Sequence, residues 1–205
     1  MNDTKRQQLR SWLGTGSINI FGLPFAGKDT QGLRLAKLFD APVIGGGDIL
    51  RNSIIPERAK KIMHEGGLVP IEDYLNIVLP YLVKEEFAGH PLILSSVGRW
   101  HGEEFGVIEA LKQSGHTLKV AVFLELDERT IWQRWEASQG HSLRGARHDD
   151  AADALEVRLE EFNLKTRPVV DFYRNLDMLI EVDGRLSIES VADTITEELL
   201  RRAST

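Results

Sequence analysis

SINIFGLPFAGKDTQ, residues 17–31, carries the strongest structural signal in the chain. A short apolar run, residues 18–21, ends at Gly22, then Gly27 and Lys28 follow, and Thr30 lies near the start of a helical pattern. The first N–H groups of a helix are free and its dipole is positive there, so a strand, a glycine-bounded loop with Lys and a helix together suit phosphate groups. The sequence therefore predicts a phosphate-binding loop for ATP or GTP.

The match to the usual loop pattern is incomplete, because that pattern has Ser or Thr directly after the Lys and here Asp29 intervenes. The alternative interpretation is a glycine-rich strand-to-helix turn with Lys28 on the surface. The strand before the loop and the helix after it favour the phosphate loop. The predicted contacts to ATP within the loop are Gly22, Ala26, Gly27, Lys28, Asp29, Thr30 and Gln31.

Composition limits the classes of protein to which the chain can belong. Its 205 residues suit one compact domain, and a net charge of −6 without a basic stripe argues against binding to nucleic acid or a membrane surface. Cys is absent, which excludes disulfides and thiolate metal sites. The apolar runs are shorter than the roughly 20 residues that span a bilayer, and the polar start is unlike a secretory signal. We expect a cytoplasmic monomer.

Predicted strands alternate with predicted helices along the chain, which indicates an α/β fold with a mainly parallel sheet. We expect strands at 17–22, 42–44, 91–94, 118–126 and 178–182. We expect helices at 3–14, 28–39, 49–53, 56–66, 70–87, 103–114, 150–174 and 188–200, with Asp48 and Asp127 as caps and Pro168 as a kink or break. The fold class is a P-loop NTPase three-layer fold, five-stranded with helices on both faces. Residues 46–87 read as an insertion over the site, and 139–148 as a loop.

Four more segments follow the loop at characteristic distances: GGGDILR (45–51), GGLVP (66–70), SSVGR (95–99) and RHDD (147–150), with Arg158 beyond. In this order and at these spacings the chain resembles the adenylate kinase family of nucleoside monophosphate kinases over residues 17–203. The resemblance implies a single P-loop kinase domain over 1–205, with inserted helices at 46–87 that bind the monophosphate and a short lid at 138–148. It also implies ATP and Mg²⁺ as cofactors and phosphoryl transfer to a nucleoside monophosphate.

The resemblance assigns roles to five arginines and to Lys28. Arg51 and Arg99 would hold the acceptor phosphate, and Arg134 would lie on the ATP side. Arg147 and Arg158 would close over the transferring group, and Lys28 would bridge the phosphates of the donor. Arginine suits this work because its planar fork binds phosphate bidentately. Each could instead be a solvated surface charge. The predicted acceptor contacts are Gly46, Asp48, Arg51, Val69, Arg99, Glu103, Arg147 and Arg158, and no side chain is assigned as a metal ligand.

Several departures from the family pattern fall in the site. Phe25 and Asp29 stand where the family usually has Gly, Ser95 where it usually has an Asp that organises Mg²⁺, and Ser138 where an ATP-side Arg is expected. These residues leave open a catalytically impaired nucleotide-binding relative. A P-loop kinase of another small metabolite is a third alternative, against which GGLVP and its two-helix insertion argue.

The choice of acceptor base is also open. Gly46 replaces the Thr of AMP-specific members, and Glu103 falls where a Gln usually reads the base. A carboxylate can only accept hydrogen bonds, which would suit the two adjacent donors of guanine. One hypothesis is therefore that GMP, or another nucleotide that is not AMP, is the acceptor, and the alternative is that Glu103 faces solvent at the start of its helix.

Overall fold

The computed structural model describes residues 1–138 and 151–204. Five strands form one sheet in which every described pairing is parallel, which confirms the predicted fold class. The strand order is β2-β3-β1-β4-β5. The strands are β1 (Ser17–Gly22), β2 (Val43–Gly45), β3 (Leu92–Ser95), β4 (Leu118–Glu125) and β5 (Leu179–Asp183). All five predicted strands are present, and four of them differ from the expected bounds by about one residue.

The central strand β1 explains why this sheet is covered on both faces. All six of its residues are buried, and it pairs with β3 on one side and β4 on the other, so that Ile18 lies level with Ile93 and Val120. The apolar middle of β4 is buried without alternation. A continuous apolar run is typical of a parallel strand that packs against helices on both faces. The carboxyl ends of β1, β3 and β4 therefore meet at one edge of the sheet.

Helices cover both faces of this sheet. They are α1 (Asp3–Leu13), α2 (Lys28–Phe39), α3 (Gly46–Arg51), α4 (Glu57–His64), α5 (Ile71–Leu82), α6 (Glu103–Gln113), α7 (Glu128–Ser138), α8 (Ala152–Glu161), α9 (Arg167–Asn175) and α10 (Ile188–Arg202). The N-terminal helix α1 buries Leu9 and Leu13 and lies against α2 and α10. Within the described residues no helix is long and apolar enough to cross a membrane.

The two predicted caps behave differently. Asp127 accepts a hydrogen bond from the backbone N–H of Thr130 at 2.8 Å, which confirms it as the cap of α7. The prediction for Asp48 is wrong, because α3 begins at Gly46 and Asp48 lies in its first turn. There its carboxylate accepts a hydrogen bond from Arg51 at 2.6 Å.

Two predicted long helices are divided in the structure. The helix expected to reach residue 87 ends at Leu82, before a short 3₁₀ turn at Glu85–Phe87. The helix expected at 150–174 becomes α8 and α9, joined by a π-helical turn at Phe162–Thr166, and Pro168 lies in the first turn of α9. Proline lacks an N–H and is tolerated in a first turn, so the break falls just before it. The predicted loop and lid at 139–148 lie outside the described residues.

Candidate active site

The loop between β1 and α2 has the shape that the sequence predicts. Gly22 admits no side chain, since a Cβ atom there would lie 3.0 Å from the carbonyl oxygen of Leu124 and 3.1 Å from the Cβ of Ala26. Gly27 adopts a left-handed conformation with φ of 95° as the residue before α2. The helix begins at Lys28, so its free N–H groups point into the loop.

The Lys28 side chain folds back across this loop. Its Nζ donates hydrogen bonds to the carbonyl oxygens of Gly22 and Leu23, both at 2.8 Å. Lys28 also lines a cleft together with Arg99 and Arg158. The ammonium group is thus held at the mouth of the loop, where phosphate oxygens would meet it.

Arg134 supports the loop between β1 and α2. Its Nη1 donates to the carbonyl oxygen of Phe25 at 3.2 Å, and its Nη2 donates to that of Gly184 at 2.6 Å. Phe25 has a φ of 59°, a conformation that favours glycine and costs a residue with a side chain about 1–2 kcal/mol. Arg134 therefore holds the backbone of the strained Phe25, and the contact of Arg134 with ATP stays a prediction.

A cluster of guanidinium groups lies at the far side of the cleft. Arg99 is partly buried, and burial lowers the pKa of its guanidinium. The nearby Arg158 and Arg51 lower this pKa further, whereas Tyr74 and Glu103 act in the opposite direction. Among residues 1–138 and 151–204, no carboxylate lies within ion-pair distance of Arg99. A desolvated cation beside two others is unfavourable until an anion joins them. The arrangement suits a phosphate group.

Arg51 and Gly46 come from α3, which follows the carboxyl end of β2. Arg51 is about 40% exposed and is held by Asp48. Gly46 is buried, and a Cβ atom there would lie 2.6 Å from the carbonyl oxygen of Ser96 and 3.0 Å from Tyr74 Oη. The threonine usual at this position would not fit, so the loss of that base contact has a steric cause.

Glu103 has a different place from the one expected. It is 2% exposed, and its Oε2 accepts hydrogen bonds from the backbone N–H groups of Arg99 at 2.8 Å and Trp100 at 3.0 Å. Burial raises the pKa of Glu103 to about 7, although those two hydrogen bonds act in the opposite direction. The carboxylate does not face solvent, so that alternative is wrong. Its Oε2 holds the turn that presents Arg99, and contact between Glu103 and the base of the acceptor stays a prediction.

Gln31 is a second correction. Its side chain is buried, and its Nε2 donates to the carbonyl oxygen of Ile188 at 2.9 Å. It therefore ties α2 to α10 and does not face the phosphate loop. Ser138 donates to the carbonyl oxygen of Trp135 within its own helix at 2.7 Å. Arg147 lies outside the described residues.

Sequence reasoning missed a group of residues that connect the insertion to the rest of the cleft. Glu161 accepts from the backbone N–H of Leu68 at 3.0 Å and from Lys165 Nζ at 2.6 Å, next to the buried Val69. Tyr74 Oη accepts from the backbone N–H of Gly98 at 2.8 Å. Tyr74 was hidden in an apolar helical stripe, and Glu161 in a run of acids, so no local signal distinguished them.

The end of β3 and the start of α2 come together beside the phosphate loop. Ser95 Oγ donates to Asp29 Oδ1 at 3.4 Å, and Thr30 follows Asp29 in the first turn of α2. Carboxylate and hydroxyl oxygens are hard ligands that fit Mg²⁺, which keeps much of its water and needs few protein ligands. Within the described part of the chain, no group of three or more His, Cys, Asp or Glu side chains could hold a metal.

Comparison with known proteins gives one consistent result. A family described as "Adenylate kinase" matches residues 20–178. A protein named "Adenylate kinase" from Methylobacterium nodulans is 31% identical over 90% of this chain and 96% of its own length. An adenylate kinase from Phenylobacterium zucineum is 30% identical over 92% of this chain and 100% of its own length. An adenylate kinase from Caldanaerobacter subterraneus subsp. tengcongensis is 29% identical over 89% of this chain and 96% of its own length.

Proposed function

The chain belongs to the adenylate kinase family, it is an ATP-dependent nucleoside monophosphate kinase, and we propose that its acceptor is AMP. The observation that supports the site is the cluster of Lys28, Arg99 and Arg158 around one cleft, with Arg51 close enough to act on Arg99. Phosphoryl transfer between two polyanions needs such fixed cations, because positioning and charge neutralisation supply most of the catalysis.

In the proposed mechanism an oxygen of the AMP phosphate attacks the γ-phosphorus of ATP, and the bond between that phosphorus and the oxygen of the leaving ADP breaks. The product is a second ADP. Lys28 and the start of α2 bind the phosphates of ATP, Arg51 and Arg99 bind the phosphate of AMP, and Arg158 faces the group in transfer. Mg²⁺, when bound with ATP, supplies further neutralisation of the phosphate oxygens. No protein base is needed, because the attacking phosphate is already ionised.

Two lines of support favour AMP over GMP. The relatives above are named adenylate kinases, and the buried Glu103 is occupied by the turn that carries Arg99. Guanine would therefore meet a carboxylate whose Oε2 already accepts two backbone hydrogen bonds. Initial rates with AMP, GMP, CMP, UMP and dTMP test the proposal. A kcat/KM highest for AMP supports it, and a preference for GMP overturns it.

We also propose that residues 46–87 form the acceptor-binding insertion, that 138–148 form a short lid, and that the protein acts as a cytoplasmic monomer. Support for the insertion comes from Leu68 and Gly66, which meet the helix after the lid: Leu68 donates to Glu161, and Gly66 closely approaches Ala154. The absence of Cys suits a reducing compartment. Light scattering at micromolar concentration tests the monomer, with a dimer mass as the contrary result.

A further inference from the structure

Asp29 occupies the position directly after the loop lysine. In the general phosphate-loop motif this position carries a Ser or Thr whose hydroxyl binds Mg²⁺. Here a partly buried carboxylate stands there, in the first turn of α2. Bound phosphates lie at that helix start, so a carboxylate would repel them at short range unless a cation lies between the two.

The strand beside the loop lacks the acid that would otherwise be expected. In P-loop enzymes an Asp from a strand commonly helps the loop hydroxyl to hold Mg²⁺. Strand β3, which pairs with β1, ends at Ser95, and Ser96 and Val97 follow it. Ser95 Oγ lies 3.4 Å from Asp29 Oδ1. The loop therefore brings a carboxylate to the end of a strand that has none of its own.

We propose that Asp29 is a direct ligand of the Mg²⁺ that accompanies ATP, and that Ser95 positions its carboxylate. This inference rests on the proposed function and deepens it, because it assigns the metal contact within the same site. Mg²⁺ is commonly bound through one or two carboxylates together with substrate phosphates and water. A single carboxylate next to the triphosphate meets that requirement, and Thr30 adds a hydroxyl one residue further along α2.

The test measures the dissociation constant of ATP by calorimetry with excess Mg²⁺ and with EDTA, for the unmodified protein, Asp29→Gly, Asp29→Asn and Asp29→Gly/Ser95→Asp. For the unmodified protein Mg²⁺ should tighten ATP binding strongly. The metal effect is the ratio of the ATP dissociation constant with EDTA to that with Mg²⁺. Asp29→Gly should reduce this ratio about tenfold or more. It should also bind metal-free ATP more tightly than the unmodified protein does, because a repelling charge has been removed. Asp29→Asn should lie between the two.

The double variant is the decisive comparison. It moves the carboxylate from the loop to the strand across a gap of 3.4 Å, and should restore most of the metal effect. If Asp29 merely pairs with Lys28, Asp29→Gly will shift the ATP dissociation constants with Mg²⁺ and with EDTA by the same factor. An unchanged ratio of the two constants overturns the proposal. A double variant no better than Asp29→Gly also counts against it. Circular dichroism checks the fold, and Asp29→Asn, the smallest change, decides the result if the glycine variant unfolds.

Turnover separates this inference from the proposed function. If the unmodified protein phosphorylates AMP while Asp29→Gly leaves the metal effect unchanged, only the metal assignment fails. If the unmodified protein phosphorylates no nucleoside monophosphate, the proposed function fails, whatever the ATP titrations show.

Discussion

Arg99 is the residue at which stability and function oppose each other. Its partly buried guanidinium lies near two other cations, so the ligand-free protein gains little from it. We predict that Arg99→Met lowers kcat for AMP by about 10²–10³-fold, the range for removing one preorganised charge donor. The same variant should leave the Tm of the ligand-free protein unchanged or higher. AMP should no longer raise its Tm.

Enzyme assays and thermal unfolding with and without AMP check this prediction. Arg129→Met is a matched control, because Arg129 is exposed on α7 and lies outside the cleft. A ligand-free Tm that falls by several degrees in Arg99→Met alone would show that Arg99 is mainly a structural residue.

Glu103 should make stability depend on pH in an unusual direction. Its pKa is about 7 in the folded protein against an ordinary 4.5, so between these values the folded state binds a proton that the unfolded state does not. Raising the pH through this range therefore lowers the free energy of unfolding, by up to about 1.4 kcal/mol per pH unit from this group. Glu103→Gln keeps a carbonyl acceptor for the two backbone N–H groups and removes the titration.

We therefore expect Glu103→Gln to lose less stability than the unmodified protein between pH 5 and pH 8. Urea unfolding at both pH values measures the difference. Glu109→Gln, on the exposed face of the same helix, is the control and should follow the unmodified protein. Parallel pH dependence in all three proteins would mean that Glu103 does not titrate in this range.

Individual site residues were predictable where the backbone pattern determines their place. Lys28 and Arg99 follow a glycine-bounded loop and a strand end, and these fix the positions of both residues. Gln31, Asp48 and Glu103 were misread, because the partner of a polar side chain depends on packing between distant elements. Gln31 meets α10, which lies more than 150 residues further along the chain.

At the scale of elements, the loop after α4 is pressed against α8. Gly66 has a φ of 88°, and a Cβ atom there would lie 2.5 Å from the carbonyl oxygen of Ala154. We predict that Gly66→Ala raises the KM for AMP and lowers stability, because it adds a collision between the insertion and α8 to the cost of the backbone conformation. Steady-state kinetics and urea unfolding measure the two effects.

Gly89→Ala separates the collision from the backbone cost. Gly89 has a similar φ of 80°, and no atom lies within 4 Å of the place that a Cβ atom would take there. It should lose about 1–2 kcal/mol of stability and leave the KM for AMP unchanged. Equal KM values in the two variants would show that contact between the insertion and α8 is unimportant for acceptor binding.

Element bounds were predictable where one signal dominates. The apolar run and the glycines fix β1 and α2 at their expected residues. The start of α3 was not predictable, because Gly46 and Gly47 have poor helix propensity. They enter the helix because Gly46 fits closely against Ser96. The π-helical turn before α9 was also not predictable, because a proline indicates that a helix breaks but does not indicate the form of the break.

At the scale of the whole molecule, α1 lies ahead of the segment that matches the family, residues 20–178. Leu9 is fully buried where this helix meets the rest of the fold. We predict that Leu9→Ala costs about 2–5 kcal/mol, the usual range for emptying a buried leucine site. The kcat at 25 °C should not change, because no residue of α1 lines the cleft. Urea unfolding and activity assays test both statements.

Leu33→Ala is the control, because Leu33 is 63% exposed. Leu33→Ala should lower the free energy of unfolding only slightly. A loss below about 1 kcal/mol for Leu9→Ala would mean that α1 contributes little to the fold.

Local pattern and the rules of parallel sheets predict a five-stranded, mainly parallel sheet, but they do not predict the meeting of Arg51, Arg99 and Arg158. They lie on elements far apart in the chain, and each could be a solvated surface charge. The resemblance to a family supplied their grouping in advance. The partial burial of Arg99, and the hold of Glu103 on the backbone of Arg99, required coordinates.

The π-helical turn at Phe162–Thr166 has a rotational consequence. Arg158 and Thr166 both line the cleft although eight residues separate them. At 100° per residue an unbroken α-helix would set them about 80° apart, whereas one residue looped out reduces the offset to roughly 20°. If the same residues formed a regular α-helix here, the rod would stay continuous and yet every later side chain would swing by about 100° away from the nucleotides. A lineage that lost a single residue, such as the exposed Leu164, would instead keep the offset at about 20°.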